Sequence, residues 1–136
     1  MKILLIISLL ILFSVNACIE DNGFACTMEF KAITIEIKDS LDNPVVLDDY
    51  YTQNNVTKEI LRWQDKDPFW DSMNVANGYY LLVSDSEMKW TKNKNTNITF
   101  FGFIDSVKVI EEVYTISDNI CHIYLVSGKQ KIIFSK

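Results

Sequence analysis

The feature that most narrows the fold is a rhythm of short β-favouring runs cut by turn residues. From Phe30 to Lys38, the apolar Ile33, Ile35 and Ile37 alternate with Thr34, Glu36 and Lys38. That two-residue period belongs to a strand with one buried face. Asp39-Ser40-Leu41-Asp42-Asn43-Pro44 follows as turn chemistry. Val45 to Thr52 reads as a second strand, and Val56 to Trp63 as a third strand or a short helical turn. Gln64 to Asn77, which holds Pro68, reads as irregular, and Gly78 to Ser84 as a strand. Asp85-Ser86-Glu87-Met88 reads as one helical turn led by Asp85, and Lys89 to Asn97 as a polar loop. Ile98 to Ile104 and Val107 to Ile116 form an expected hairpin about Asp105-Ser106. Ser117-Asp118-Asn119 turns the chain, Ile120 to Val126 is a strand, and Ser127-Gly128 is a two-residue turn into Lys129 to Phe134. No long segment after the N-terminus shows the 3.6-residue period. The expectation is all-β: an antiparallel Ig-like or transthyretin-like sandwich of about seven or eight strands.

The N-terminus is different in kind. Of the first 17 residues, 13 are apolar, and the run Ile3 to Phe13 is broken only by Ser8. These 11 residues fall short of the roughly 20 that span a bilayer. Behind the cationic Met1-Lys2 start, they have the length of a signal-peptide core. Val15-Asn16-Ala17-Cys18 resembles the lipobox of bacterial lipoproteins, with Asn16 where a small or hydroxyl residue is usual. The resemblance implies that Cys18 is lipidated, palmitate included, and becomes the mature N-terminus on a membrane. The competing readings are an ordinary secreted protein cut after Ala17 and a packed N-terminal helix. Ile19-Glu20-Asp21-Asn22-Gly23 is acidic and polar like a tether, and resembles the surface-export signal of Bacteroidota lipoproteins. The expected organisation is signal peptide 1–17, tether 18–25 and one sandwich domain 26–136. The expected location is the outer membrane or cell surface, with the periplasmic face as the alternative.

If Cys18 carries lipid, Cys26 and Cys121 remain as a pair suited to an oxidising compartment. The alternative is two buried free thiols. A metal site is not expected. His122 is the only histidine, and Cys121 and His122 point to opposite faces if they lie in a strand.

Lys31 to Asp49 resembles the opening of carboxypeptidase regulatory-like domains: an alternating strand, an Asp/Asn-rich turn, a proline and a second strand. Gly78-Tyr79-Tyr80 is similar to the Gly-aromatic strand start that recurs later in that family. Cys121 to Gly128 is similar to the C-terminal strand and turn of small Bacteroidota lipoproteins carrying the domain. The resemblance covers roughly residues 26–134. It implies a transthyretin-like sandwich used as an accessory or binding module, with no catalytic residues and no cofactor.

Charge and residue types agree with a non-catalytic reading. The net charge is −5, and Arg62 is the only arginine. Nucleic-acid binding needs clustered Lys and Arg, and the one cluster, Lys89, Lys92 and Lys94, reads as a solvated loop. The pairs Asp48-Asp49 and Glu111-Glu112 split between strand faces and cannot cooperate as acid and base. Asp65, Asp67 and Asp71 have oxygens that suit calcium but lack the EF-hand glycine and terminal Glu.

Two sets of residues point to interactions. Trp63, Phe69, Trp70 and Trp90 fall within 28 residues, and exposed aromatic faces make good platforms for a glycan, peptide or partner protein. The alternative is that Phe69 and Trp70 fold back to cover one end of the sandwich. Asp39-Ser40-Leu41, Asp71-Ser72-Met73 and Asp105-Ser106-Val107 resemble the O-glycosylation acceptor motif of exported Bacteroidota proteins. That implies glycan on Ser40, Ser72 or Ser106. The alternative is plain turn chemistry. The functional expectation is an envelope accessory or binding module. The competing expectation is a structural subunit of a surface or envelope assembly that pairs by a strand edge such as Lys129 to Phe134.

Overall fold

The computed structural model describes residues 25–135. The expected signal peptide, Cys18 and most of the expected tether lie outside them. Among the described residues, no helix is long and apolar enough to cross a membrane. Eight strands are present: β1 (Ala32–Asp39), β2 (Asp49–Asn54), β3 (Ile60–Leu61), β4 (Tyr79–Ser84), β5 (Thr96–Ile104), β6 (Val107–Asp118), β7 (Ile123–Ser127) and β8 (Lys131–Phe134). They form two sheets, ordered β4-β1-β8 and β3-β2-β5-β6-β7. The expected β-sandwich is therefore the observed architecture. All strand pairings are antiparallel except β1 with β8, which is parallel.

The alternation in the sequence maps directly onto burial. Ile33, Ile35 and Ile37 of β1 point inward and are buried, while Thr34, Glu36 and Lys38 are half-buried on the other face. Tyr50, Tyr80 and Phe100 meet at the centre of the core, with ring centroids 4.9, 5.7 and 6.0 Å apart. Edge-to-face aromatic contacts of this kind add to the burial energy.

Several expected boundaries move, each for a physical reason. The second strand begins at Asp49, not Val45, because Val45 to Leu47 carries the chain from one sheet to the other. Backbone groups in such a crossing need partners. Tyr80 supplies two: its hydroxyl donates to the Val45 carbonyl (2.6 Å) and accepts from the Leu47 amide (2.9 Å). Val56 to Trp63 resolves into the two-residue β3 and a 3-10 turn over Trp63–Asp65. The segment expected to be irregular contains helix α1 (Pro68–Val75). Asp67 caps it by accepting from the Trp70 amide, Pro68 starts it, and Gly78 ends the following turn at φ +79°. A Cβ at Gly78 would stand 2.6 Å from the Ile37 carbonyl oxygen. After β4, the cap of the 3-10 helix Asp85–Trp90 is Ser84, not Asp85, with Glu87 completing the capping box.

The hairpin β5–β6 forms as expected. Asp105 and Ser106 both take positive φ (50° and 63°), as a tight primed turn requires. Ser117 and Asp118 belong to β6, and the turn falls on Asn119 to His122, so β7 begins at Ile123. Ser127-Gly128 does not close a hairpin. The chain there leaves the five-stranded sheet, and β8 joins the other sheet parallel to β1. A bridge links Cys26 to Cys121, closing a separation of 95 residues with Cα atoms 5.2 Å apart.

Candidate functional site

Adjacent aromatic residues in a strand must face opposite ways, and here each such pair splits between core and surface. Tyr50 and Phe100 enter the core; Tyr51 and Phe101 take the outer face of the five-stranded sheet, directly paired across β2 and β5. Phe103 lies on the same face. Tyr51 stands 5.0 Å from Phe101 and 5.8 Å from Phe103, ring centre to ring centre, the latter pair stacked. Arg62 lies 5.0 Å over Tyr51 and Lys108 lies 5.6 Å over Phe101. Cations at such distances are attracted to the ring faces. Arg62 is positioned by Asp49, whose carboxylate accepts from Arg62 Nη1 (2.6 Å) and Gln64 Nε2 (2.9 Å). This ladder is not among the sequence-based candidates. Its signal was present in Tyr50-Tyr51 and Phe100-Phe101-Gly102-Phe103, once period two is applied to both members of each pair.

Two of the four aromatics singled out in the sequence come together, where α1 packs against β4 and the Trp63–Asp65 turn. Trp63 and Trp70 meet edge to face at 6.0 Å, and Lys66 lies 5.8 Å over Trp63. Phe69 is 77% exposed and Trp70 39%. Their helix is pinned underneath by Asp71, which is buried and accepts a hydrogen bond from the Tyr50 hydroxyl. Burial pushes the Asp71 carboxyl above its ordinary range, opposed by that hydrogen bond. Trp90 is the exception and corrects the sequence reading. It is 5% exposed, belongs to the core, and donates from Nε1 to Glu59 (2.8 Å). It offers no surface platform because the 3-10 helix turns its ring inward.

The remaining candidates separate. Ser40 and Ser106 are exposed in turns, whereas Ser72 is on α1, exposed, with its hydroxyl donating to the Phe69 carbonyl (2.9 Å). The three aspartates considered for calcium are engaged elsewhere or apart: Asp67 caps the helix and Asp71 binds Tyr50. No group of three metal-ligating side chains converges among the described residues. A groove of about 610 Å³ lies between the β1–β2 turn and the end of β8, lined by Ser40, Val45, Val46, Ile104 and Phe134.

His122 sits in the turn before β7 rather than in a strand. Its Nδ1 donates to Asp85 (2.8 Å), and Nε2 lies 2.9 Å from the Thr27 hydroxyl. Hydroxyl, imidazole and carboxylate thus stand in the order of a nucleophilic relay. None of the three described grooves is lined by these residues. Beside the disulfide, this chain of bonds ties the segment before β1 to the end of β4 and the start of β7. Asp85 is its hub and also accepts from the Lys31 and Ile123 amides (2.8 and 2.9 Å).

A scan against protein-family models, a search of curated proteins and a search of solved structures each return no match to this chain.

Proposed function

We propose that this chain is an exported bacterial lipoprotein, held at the outer membrane or cell surface through Cys18. Its sandwich, of the carboxypeptidase regulatory-like kind, serves as a non-catalytic accessory module that binds a glycan or peptide. The observation that carries the binding reading is the outward ladder of Tyr51, Phe101 and Phe103 under Arg62 and Lys108, with the Trp63–Trp70 pair as a second aromatic contact at α1. Rigid rings with few rotatable bonds bury much area at little entropic cost, and flanking cations orient polar groups of the ligand. Screening the full chain against glycan and peptide arrays identifies the ligand. Phe101→Ala and Trp70→Ala, each on an outer surface, should then weaken binding at least tenfold; unchanged binding in both overturns this reading. The anchor is tested separately. Cys18→Ala should move the protein from the membrane fraction to the soluble one, and retention would refute lipidation.

A second reading, a structural subunit that pairs by strand edges, has its own support. β7 pairs only with Thr115 to Asp118 of β6, and β8 pairs only with β1 among the described residues. The open edges of β6 and β8 border one groove of about 300 Å³, lined by residues 109–112 and 132–135. Unpaired edges are templates for strand addition. Concentration-dependent assembly that Ile133→Lys abolishes would favour this reading; a monomer at millimolar concentration would remove it.

A further inference from the structure

The basic cluster Lys89, Lys92 and Lys94 is not simply a solvated loop. It rims a pocket of about 140 Å³ formed where the β2–β3 turn meets the segment between Trp90 and β5. The pocket is lined by Asn54, which is 1% exposed, and by Thr57 and Thr96. Asn54 Oδ1 is used locally, accepting from the Val56 and Thr57 amides (2.9 and 3.1 Å). Its Nδ2 is buried and has no partner among the described residues. An orphaned buried donor costs about 1–3 kcal/mol, so it calls for an explanation.

The charges around the pocket do not cancel. Both oxygens of Glu59 are occupied, one by Lys89 and the other by Trp90 Nε1, two residues that line the pocket. Asp118 is occupied by the Thr91 hydroxyl and the Asn93 amide. Lys92 and Lys94 have no ion-pair partner among the described residues. A chain of net charge −5 therefore brings two unpaired ammonium groups, those of Lys92 and Lys94, and an unused amide donor to one small cavity. At about 30 Å³ per water, the space equals four or five waters, enough for one tetrahedral oxyanion and too little for an extended ligand.

We propose that this pocket binds a sulfate or phosphate group. The ammonium groups of Lys92 and Lys94 supply charge, and the Thr57 hydroxyl and Asn54 Nδ2 supply directed hydrogen bonds. The site is separate from the aromatic face, so the two readings stand or fall independently.

The test is a titration of the full chain in non-ionic detergent with sodium sulfate and with sodium phosphate, ionic strength being held constant with chloride. The Asn54 side-chain amide and the Thr57 backbone amide are followed by ¹⁵N NMR. Saturable shifts of both signals are expected. Lys92→Gln/Lys94→Gln, on exposed side chains, should weaken the affinity at least tenfold, while the distant pair Lys31→Gln/Lys129→Gln, which removes equal charge, should not. Vesicles of phosphatidylglycerol, compared with phosphatidylcholine, separate the sources. Binding lost with Lys92 and Lys94 assigns the group to a lipid headgroup; saturation by the free ions without vesicle binding assigns it to a soluble ester or free ion. Shifts that chloride reproduces, or that the Lys92/Lys94 pair leaves unchanged, overturn the proposal.

Discussion

Gly128 lies flat against the ring of Tyr114: a Cβ built on Gly128 would stand 2.1 Å from Tyr114 Cδ1. The Tyr114 hydroxyl reaches past it to donate to the Lys129 carbonyl (2.8 Å). This contact steers the chain out of β7 and across to the other sheet. Gly128 also holds φ +134°, a region that side chains rarely adopt. Gly128→Ala should therefore cost about 3 kcal/mol from overlap and backbone strain. Tyr114→Phe should cost only about 1 kcal/mol, the lost hydrogen bond. Urea unfolding of the two variants gives the ranking; equal losses would show that the ring contact does not direct the crossing.

Acid stability should depend on Asp85 and Asp118. Burial raises the Asp85 carboxyl, but hydrogen bonds from His122 and from the Ile123 and Lys31 amides outweigh it and hold the carboxyl below its ordinary value of 3.8. Asp118 is likewise lowered: the bonds from Thr91, Ile120 and Asn93 outweigh desolvation. A carboxyl depressed in the folded state stabilises it above the unfolded pKa, and this contribution is lost as pH falls through the folded one. Stability should thus fall as pH drops below about 4. Asp85→Asn should lose about 2–3 kcal/mol at neutral pH and show a shallower acid limb in pH-dependent urea midpoints.

Asp71 has the opposite sign. Its carboxyl is raised by burial, so the folded state keeps the proton longer than the unfolded chain does. Its ionisation erodes stability as pH rises from about 4 through the folded pKa. Asp71→Asn still accepts from the Tyr50 hydroxyl and should flatten stability across that window. An unchanged pH profile would count against the buried-carboxyl account.

Ile120 is β-branched and sits at φ +78° in the turn before the disulfide. Such a residue is strained there, typically by about 1–3 kcal/mol. Ile120 is half exposed, so Ile120→Asn loses little packing and should raise the thermal midpoint by a few degrees. A lowered midpoint would mean that its side chain contributes more than the backbone costs.

Reduction of Cys26–Cys121 opens a loop of 95 residues, worth about 4–5 kcal/mol in the chain-entropy account. Cys26→Ser/Cys121→Ser should therefore unfold at clearly lower urea than the oxidised protein. It should also release the segment before β1, seen as faster amide exchange at Lys31 and Ala32.

Much of the fold was readable because strand burial has a local cause. Alternation at Ile33, Ile35 and Ile37 decides which face is wet, and no partner need be known. The hairpin at Asp105-Ser106 was readable because two short polar residues can adopt positive φ together. Helix α1 escaped notice although Asp67-Pro68 and Asn77-Gly78 bracket it, because eight residues are too few to establish a 3.6-residue period. Trp70 and Trp90 look alike in sequence, yet one ring is on the surface and the other in the core. Only the direction in which each helical segment packs decides that.

The amino-acid order by itself determined the β-rich class and the inward face of β1. Those are properties of neighbours along the chain. Tertiary structure alone decided that β8 lies parallel to β1, that Tyr51, Phe101 and Phe103 form one ladder, and that Lys92 and Lys94 share a pocket with Asn54. The reason is that period and turn chemistry specify how a segment folds, whereas sheet crossings at Tyr80 and Gly128 choose which distant segments meet.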